Sequence, residues 1–293
     1  MSDTRPAAKL IDGKRISSEA RAEWKARADR LCALVATPGL TVIMVGENPA
    51  SGLYVRNKLR ACEEMGIRSE LRLYPADTPE QTVLESIRAL NADPTCHGIL
   101  VQLPLPPQIS VRHALEAISP DKDVDGFHLY NVGGLITGET VFPPCTPYGV
   151  MMLLDRTGIP VTGQNVTIVG ASNIVGKPMG LMFLQREATV AICHVKTRDL
   201  TQYTIAADIL VVAAGQPNLV TGPMVRTGAV VIDVGINRLP DGSLIGDVDF
   251  DSVSRKASYI TPVPGGVGPM TVTMLLCNTV AAAERSYAQL KAA

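Results

Sequence analysis

Ser51, Tyr54 and Lys58 recur at i, i+3 and i+7 within SGLYVRNKLRACEEMG, a segment whose pattern predicts a helix over 51–66. All three then share one helix face. The apolar run LTVIMVG at 40–46 predicts a buried strand just before it, so that face opens beyond a strand's carboxyl end, the edge where α/β sheets bind ligands. A tyrosine there can stack on a planar ring. A lysine one turn on can give or take a proton when burial or neighbours tune it. The same spacing also describes a surface lysine beside a half-buried tyrosine. Gln102 stands in GILVQLPL (98–105), an otherwise apolar run read as a third strand. A buried amide needs a partner, and a ligand, Lys58 or the backbone would each serve.

A second chemical signal is strand, turn and helix: NVTIVG, ASNIVG, then KPMGLMFLQRE. Glycines after a buried strand admit a ligand close to the main chain, and the next helix offers free N–H groups to a phosphate. Gly170 and Gly176 bracket five residues, which is neither GxGxxG nor a Walker loop, so a tight turn without a ligand stays open. The next strand ends in His194, Val195, Lys196, Thr197 and Arg198, where an NAD site would place an acidic residue. Cations and a hydroxyl suit a 2′-phosphate, which favours NADP; a solvated basic loop is the plainer account.

DKDVDG at 121–126 spells the start of a calcium loop, but its twelfth position is Val132 rather than a bidentate Glu. The loop is read as turn-forming, with one carboxylate free to face ligand donors. TPVPGGVGPMT (261–271) packs three prolines and three glycines behind ASYI, suiting close approach of a flat ligand or a hinge. The histidines at 97, 113, 128 and 194 and the scattered cysteines show no metal-ligand spacing, so no metal is expected.

The elements that must position these residues alternate. Strand SELRLYP (69–75) and helix PEQTVLESIRAL (79–90), with Thr78 as N-cap, complete the first half. The pattern lapses over Ser119–Pro147, a candidate domain crossing, and Thr146–Pro147 then starts a helix as N-cap and first turn. Strands at 165–170, 188–195, 207–215 and 228–235 and a closing helix from 271 make a second α/β run. The 293 residues suit two domains, and 27 Lys and Arg against 28 Asp and Glu leave a net charge of −1. Aromatic residues at 4% and that neutral balance argue against nucleic-acid binding. A charged N-terminal stretch, no apolar run near the roughly 18 residues a bilayer needs, and unpaired cysteines are the expectation for a cytoplasmic chain that engages no membrane.

SGLYVRNK, GILVQLPLP, DKDVDGFH, PCTPYG, VGASNIVGKP, DVGINRL and ITPVPGGVGPMT together resemble, in order, the bifunctional methylenetetrahydrofolate dehydrogenase/methenyltetrahydrofolate cyclohydrolase family. The resemblance implies two α/β domains around a cleft: an N-terminal parallel-sheet folate domain (1–143 with 271–293) and a C-terminal Rossmann-type NADP domain (144–270). It also implies a homodimer, tetrahydrofolate one-carbon substrates, and a C-terminal helix returning to the first domain. Carried over by position, it makes Lys58 the proton-transfer residue, Tyr54 the stacking ring, Gln102 the holder of Lys58 and Asp125 the ligand of the pterin head. Pro264, Gly265 and Gly266 would line the folate pocket, and Gly170, Ala171, Ser172 and Ile236 would contact the dinucleotide. Some members carry Arg where this chain has Ala171; Lys196, Thr197 and Arg198 would then meet the 2′-phosphate. A different NADP-dependent dehydrogenase of a small cyclic substrate would share the second-half reading, without a use for the Tyr54, Lys58 and Gln102 set.

Overall fold

A computed structural model describes residues 7–34, 37–46 and 49–292. In chain order the elements are β1 (Lys9–Leu10), α1 (Gly13–Leu34), β2 (Gly39–Val45), α2 (Pro49–Glu64), β3 (Arg68–Tyr74), α3 (Glu80–Ala92), β4 (Gly98–Val101), α4 (Val111–Glu116), α5 (Leu129–Thr137) and α6 (Cys145–Thr157). They continue with β5 (Asn165–Val169), α7 (Gly176–Leu184), β6 (Thr189–Cys193), α8 (Thr201–Thr204), β7 (Ile209–Val212), β8 (Val230–Asp233), β9 (Asn237–Arg238), β10 (Leu244–Ile245), α9 (Phe250–Ser254), β11 (Tyr259–Ile260) and α10 (Val267–Ala292). The chain divides into an N-terminal unit, Ser18–Cys145 with Val272–Ala293, and a C-terminal unit, Thr146–Thr271 with Met1–Ser17.

The N-terminal unit holds a parallel sheet of order β3-β2-β4. All residues of β2 are buried, as expected of a central strand covered on both faces, whereas β3 alternates with exposed positions as an edge strand does. On α3 the apolar positions Val83, Ile87 and Leu90 follow helical spacing and pack with Ile43, Val45, Ile99 and Val101. α10 seals this unit: Asn278 Nδ2 donates to the Val124 and Pro143 carbonyls at 2.9 and 3.1 Å, and Arg27 pairs with Glu284.

The C-terminal unit is built on a sheet of order β1-β11-β8-β7-β5-β6, parallel throughout. β7 is wholly buried, and Leu210, Val212, Val231 and Ile260 join one apolar cluster with Val220 and Val253. α7 lies close on β6, since a Cβ on Gly180 would sit 2.7 Å from Ile192 Cδ1.

Several expectations need correction. β1 pairs with β11, so residues 7–17 group with the C-terminal sheet and not with residues 18–143. α3 is capped at Pro79 rather than Thr78, and α6 begins at Cys145, which leaves Thr146 and Pro147 inside its first turn. β4 ends at Val101, so Gln102 leaves the strand. The stretch 119–147 is not all loop: α5 forms there, with the His128 ring accepting the Tyr130 N–H and Gly138 closing the helix at φ +83°.

Candidate active site

In the N-terminal sheet the chain passes from β2 to β3 on one side and then crosses to β4 on the other. The carboxyl ends of β2 and β4 therefore flank a topological switch point, the usual ligand crevice of such sheets. α2 begins beyond β2, and Gln102 leaves β4 with its N–H bonded to the Ile43 carbonyl at 2.8 Å. Half-buried Lys58, on α2, donates from Nζ to Gln102 Oε1 at 3.0 Å. The amide cannot turn away. Its Nε2 donates to the Leu103 carbonyl at 2.8 Å, which leaves only the oxygen to face the lysine.

Asp125 joins this pair electrostatically. Its carboxyl is raised above the ordinary aspartate range, first by burial, against the pull of the Lys58 charge and of the nearby Cys145 thiol, with Asp123 adding repulsion. The residue keeps some accessible surface, but protein surrounds its acid group. Gly126 makes the turn at φ +78°, and a Cβ there would crowd the 142–144 backbone at 2.6–2.8 Å. Asp123 is the structural carboxylate of the loop: fully enclosed, it accepts the His128 N–H and Asn131 Nδ2, each at 2.8 Å.

The structure thus brings Lys58 onto Gln102 through a hydrogen bond and couples Lys58 to Asp125 electrostatically. Tyr54 stands one turn before Lys58 on α2 with 41% of its surface exposed; the side chain of Ser51 lies outside the described residues. Sequence reasoning missed Cys145 and Asn278. The buried Cys145 thiol, pushed well up by burial and by Asp125, donates to the Val124 carbonyl at 3.3 Å, and Asn278 secures the same carbonyl. A lone amide inside the apolar run TVTMLLCNTV was the available signal for Asn278.

In the C-terminal unit the switch point falls between β5 and β7, because β6 lies on one side of β5 and β7 on the other. Gly170 leaves β5 at φ +124°, and a Cβ on it would overlap the Ala213 carbonyl; one on Gly176 would overlap the Gly170 carbonyl. The turn is so tight that only glycine serves at both ends. Exposed Ser172 accepts the Val175 N–H at its Oγ, 3.1 Å, ahead of α7, and Ala171 precedes it half-buried. After β6, Thr197 Oγ1 accepts the His194 N–H at 2.9 Å and His194 Nδ1 accepts the Lys196 N–H at 3.1 Å. That small knot leaves the Lys196 and Arg198 side chains exposed, and neither forms an ion pair among the described residues. Ile236, 43% exposed, follows β8. Pro264 is exposed and Gly265 and Gly266 are buried, with Gly265 at φ +114° and its carbonyl accepting the Lys14 N–H at 3.1 Å. A glycine-tight turn at a switch point, beside exposed cations after the next strand, fits a phosphorylated dinucleotide.

A family model described as the tetrahydrofolate dehydrogenase/cyclohydrolase catalytic domain matches residues 11–125, and its NAD(P)-binding domain counterpart matches 144–287. The chain belongs to the tetrahydrofolate dehydrogenase/cyclohydrolase family. Among its relatives is the bifunctional protein FolD of Nitrosospira multiformis, 60% identical over 97% of this chain and 99% of that protein. The crystal structure of the bifunctional FolD dehydrogenase/cyclohydrolase from Campylobacter jejuni shares 51% identity at a TM-score of 0.94, over 95% of this chain and 99% of that one. The FolD of Trypanosoma brucei, solved with NADP and an inhibitor, shares 39% identity at 0.93, over 97% and 99%. Two family domains therefore fall on the two crevices that the topology marks.

Proposed function

We propose that this chain oxidises 5,10-methylenetetrahydrofolate to the methenyl form with NADP and hydrolyses that product to 10-formyltetrahydrofolate. The observation that carries the reading is the Lys58–Gln102 bond beside Asp125 at the N-terminal switch point, in a chain whose two halves match both family domains. Bound NADP supplies a hydride acceptor. Gly170, Ala171, Ser172 and Ile236 would hold it, with Lys196, Thr197 and Arg198 at the 2′-phosphate. For oxidation the protein aligns the folate, since the ring nitrogen lone pairs expel hydride from the methylene carbon without an acid or base.

Hydrolysis does need proton transfer. Water adds to the methenyl cation and releases one proton; the resulting hydroxyl then loses its second proton as the bond from that carbon to the departing ring nitrogen breaks and the formyl C=O forms, and the nitrogen takes up a proton, so one proton is released overall. Lys58 moves that proton, with Gln102 fixing where its amine stands. Tyr54 stacks on the folate, Asp125 receives the N–H donors of the pterin head, and Pro264, Gly265 and Gly266 line the folate's path. We assign the chain to the cytoplasm as a homodimer with no nucleic-acid or membrane partner. No helix among the described residues is long and apolar enough to cross a membrane. Light scattering checks the dimer.

The deciding assay mixes methylenetetrahydrofolate with NADP and follows methenyl absorbance as it forms and decays. Absorbance that never rises would remove the dehydrogenase. Absorbance that rises and decays only at the buffer rate would remove the cyclohydrolase.

A further inference from the structure

Two buried carboxylates at the carboxyl edge of the C-terminal sheet have no part in the chemistry above. Asp233 is 4% exposed and Asp247 0%. Asp247 Oδ2 accepts the main-chain N–H groups of Ala214 and Gly215 at 2.7 and 2.8 Å, and its Oδ1 accepts Asn237 Nδ2 at 2.8 Å. Asp233 accepts in turn from Gly235 (2.9 Å), Asp247 (3.0 Å) and Val248 (2.9 Å), all main-chain N–H groups. Each of these hydrogen-bond partners is a donor, while the two carboxylates repel one another. Gly235 and Gly246 complete the fit, since a Cβ on either would overlap the carboxylate of Asp247 or Asp233 respectively.

These bonds end on three segments: 213–215 after β7, 235–237 after β8, and 246–248 after β10. The first is a wall of the crevice between β5 and β7. Gly170 abuts the Ala213 carbonyl, and the Ala213 N–H donates to Val169 at 2.7 Å. Ala214 and Gly215 are exposed, and a Cβ on Gly215 would meet nothing within 4 Å. The second segment carries Ile236. One carboxylate thus ties together two stretches of chain, 214–215 and 237, that the sheet alone leaves separate.

We propose that Asp247, seated on Asp233, is a positioning residue of the dinucleotide crevice, holding the 213–215 wall and the Ile236 loop in the arrangement that receives NADP. The proposal rests on the NADP reading above. An asparagine at 247 keeps the shape but turns an N–H donor toward groups that are themselves donors, so it loosens the wall without emptying the core.

The test compares wild type with Asp247→Asn in the full chain. It measures the NADP Kd by calorimetry, KM for NADP, kcat at saturation, and hydrolysis of methenyltetrahydrofolate supplied directly. Kd and KM for NADP are expected to rise together by about tenfold, with kcat changed less than about threefold. Hydrolysis is expected to stay within about twofold, because Lys58 and Gln102 are carried by the other unit. An unchanged NADP Kd overturns the proposal, and so does parallel loss of both activities with a falling thermal midpoint, the mark of a merely structural role. Should Asp247→Asn fail to fold, Asn237→Ala removes one donor and is expected to raise the NADP Kd about threefold; no change there overturns the proposal as well. Wild-type protein that binds no NADP removes the functional reading and this proposal together, whereas normal wild-type binding with an unaffected variant removes this proposal alone.

Discussion

The two crevices sit at equivalent places in their sheets and are built from opposite materials. In the N-terminal unit the walls are side chains: an amine, an amide and an acid, with the Lys58–Gln102 bond of 3.0 Å between helix and strand end. In the C-terminal unit the walls are main chain, shaped by glycines that cannot carry a Cβ and braced from behind by Asp233 and Asp247. Proton transfer needs a titratable group at a defined spot, so the proposed hydrolytic site would depend on one lysine. A dinucleotide needs many N–H groups and a fitted surface, so its site depends on loop placement.

That contrast predicts unequal fragility. Lys58→Met removes the only amine bonded to Gln102 among the described residues while preserving much of the side chain's bulk. Hydrolysis is expected to fall by about 10³-fold or more, with the NADP Kd unchanged within about twofold. Direct measurement of methenyltetrahydrofolate decay alongside calorimetry checks both halves. If NADP affinity fell as steeply as hydrolysis, the division of labour between the crevices would be wrong.

The sequence showed these two materials unequally. Lys58 stood at helical spacing from a tyrosine just beyond a strand and Gln102 as an amide in an apolar run, but the residues alone left a ligand, Lys58 or the backbone open as the amide's partner, and only the family resemblance paired the two. The glycine turn was legible because strand, turn and helix are contiguous. Asp233 and Asp247 were not, since their acceptors matter only when segments far apart in sequence meet. β1 escaped for the same reason, a two-residue strand whose identity lies wholly in its pairing with β11. α5 was hidden by its glycines, which read as loop until the His128 cap and the Gly138 stop are seen.

Bracing by buried acid should also show in stability. Burial raises the Asp233 carboxyl to about 6, against the lowering effect of its N–H partners. An unfolded aspartate titrates near 3.9, so between those values the folded chain binds a proton that the unfolded chain does not. Its contribution is full below the unfolded value and is lost as pH rises through the folded one. About 2 pH units at roughly 1.4 kcal/mol each give about 3 kcal/mol lost between pH 4 and pH 6. Urea titrations across that range should show the decline in wild type and a flatter curve in Asp233→Asn. Parallel curves would mean that Asp233 titrates as an ordinary aspartate.

The smallest effect separates main-chain recognition from charge recognition inside the dinucleotide crevice. The knot of His194 and Thr197 uses the main-chain N–H of Lys196 but not the side chain of Lys196 or Arg198, so truncating those side chains keeps its hydrogen bonds. In the proposed reading each exposed cation would add one screened contact to a 2′-phosphate and Ala171 none, so the pair would carry the preference for the phosphorylated nucleotide. Lys196→Ala and Arg198→Ala are each expected to lower kcat/KM with NADP by about five- to tenfold while leaving kcat/KM with NAD unchanged within about twofold. Higher salt should narrow the gap between wild type and variants, because the contacts are solvent-exposed. Equal losses with both nucleotides would assign the loop a shape-holding role like that of Asp247, and would place the choice between NADP and NAD in the glycine turn instead.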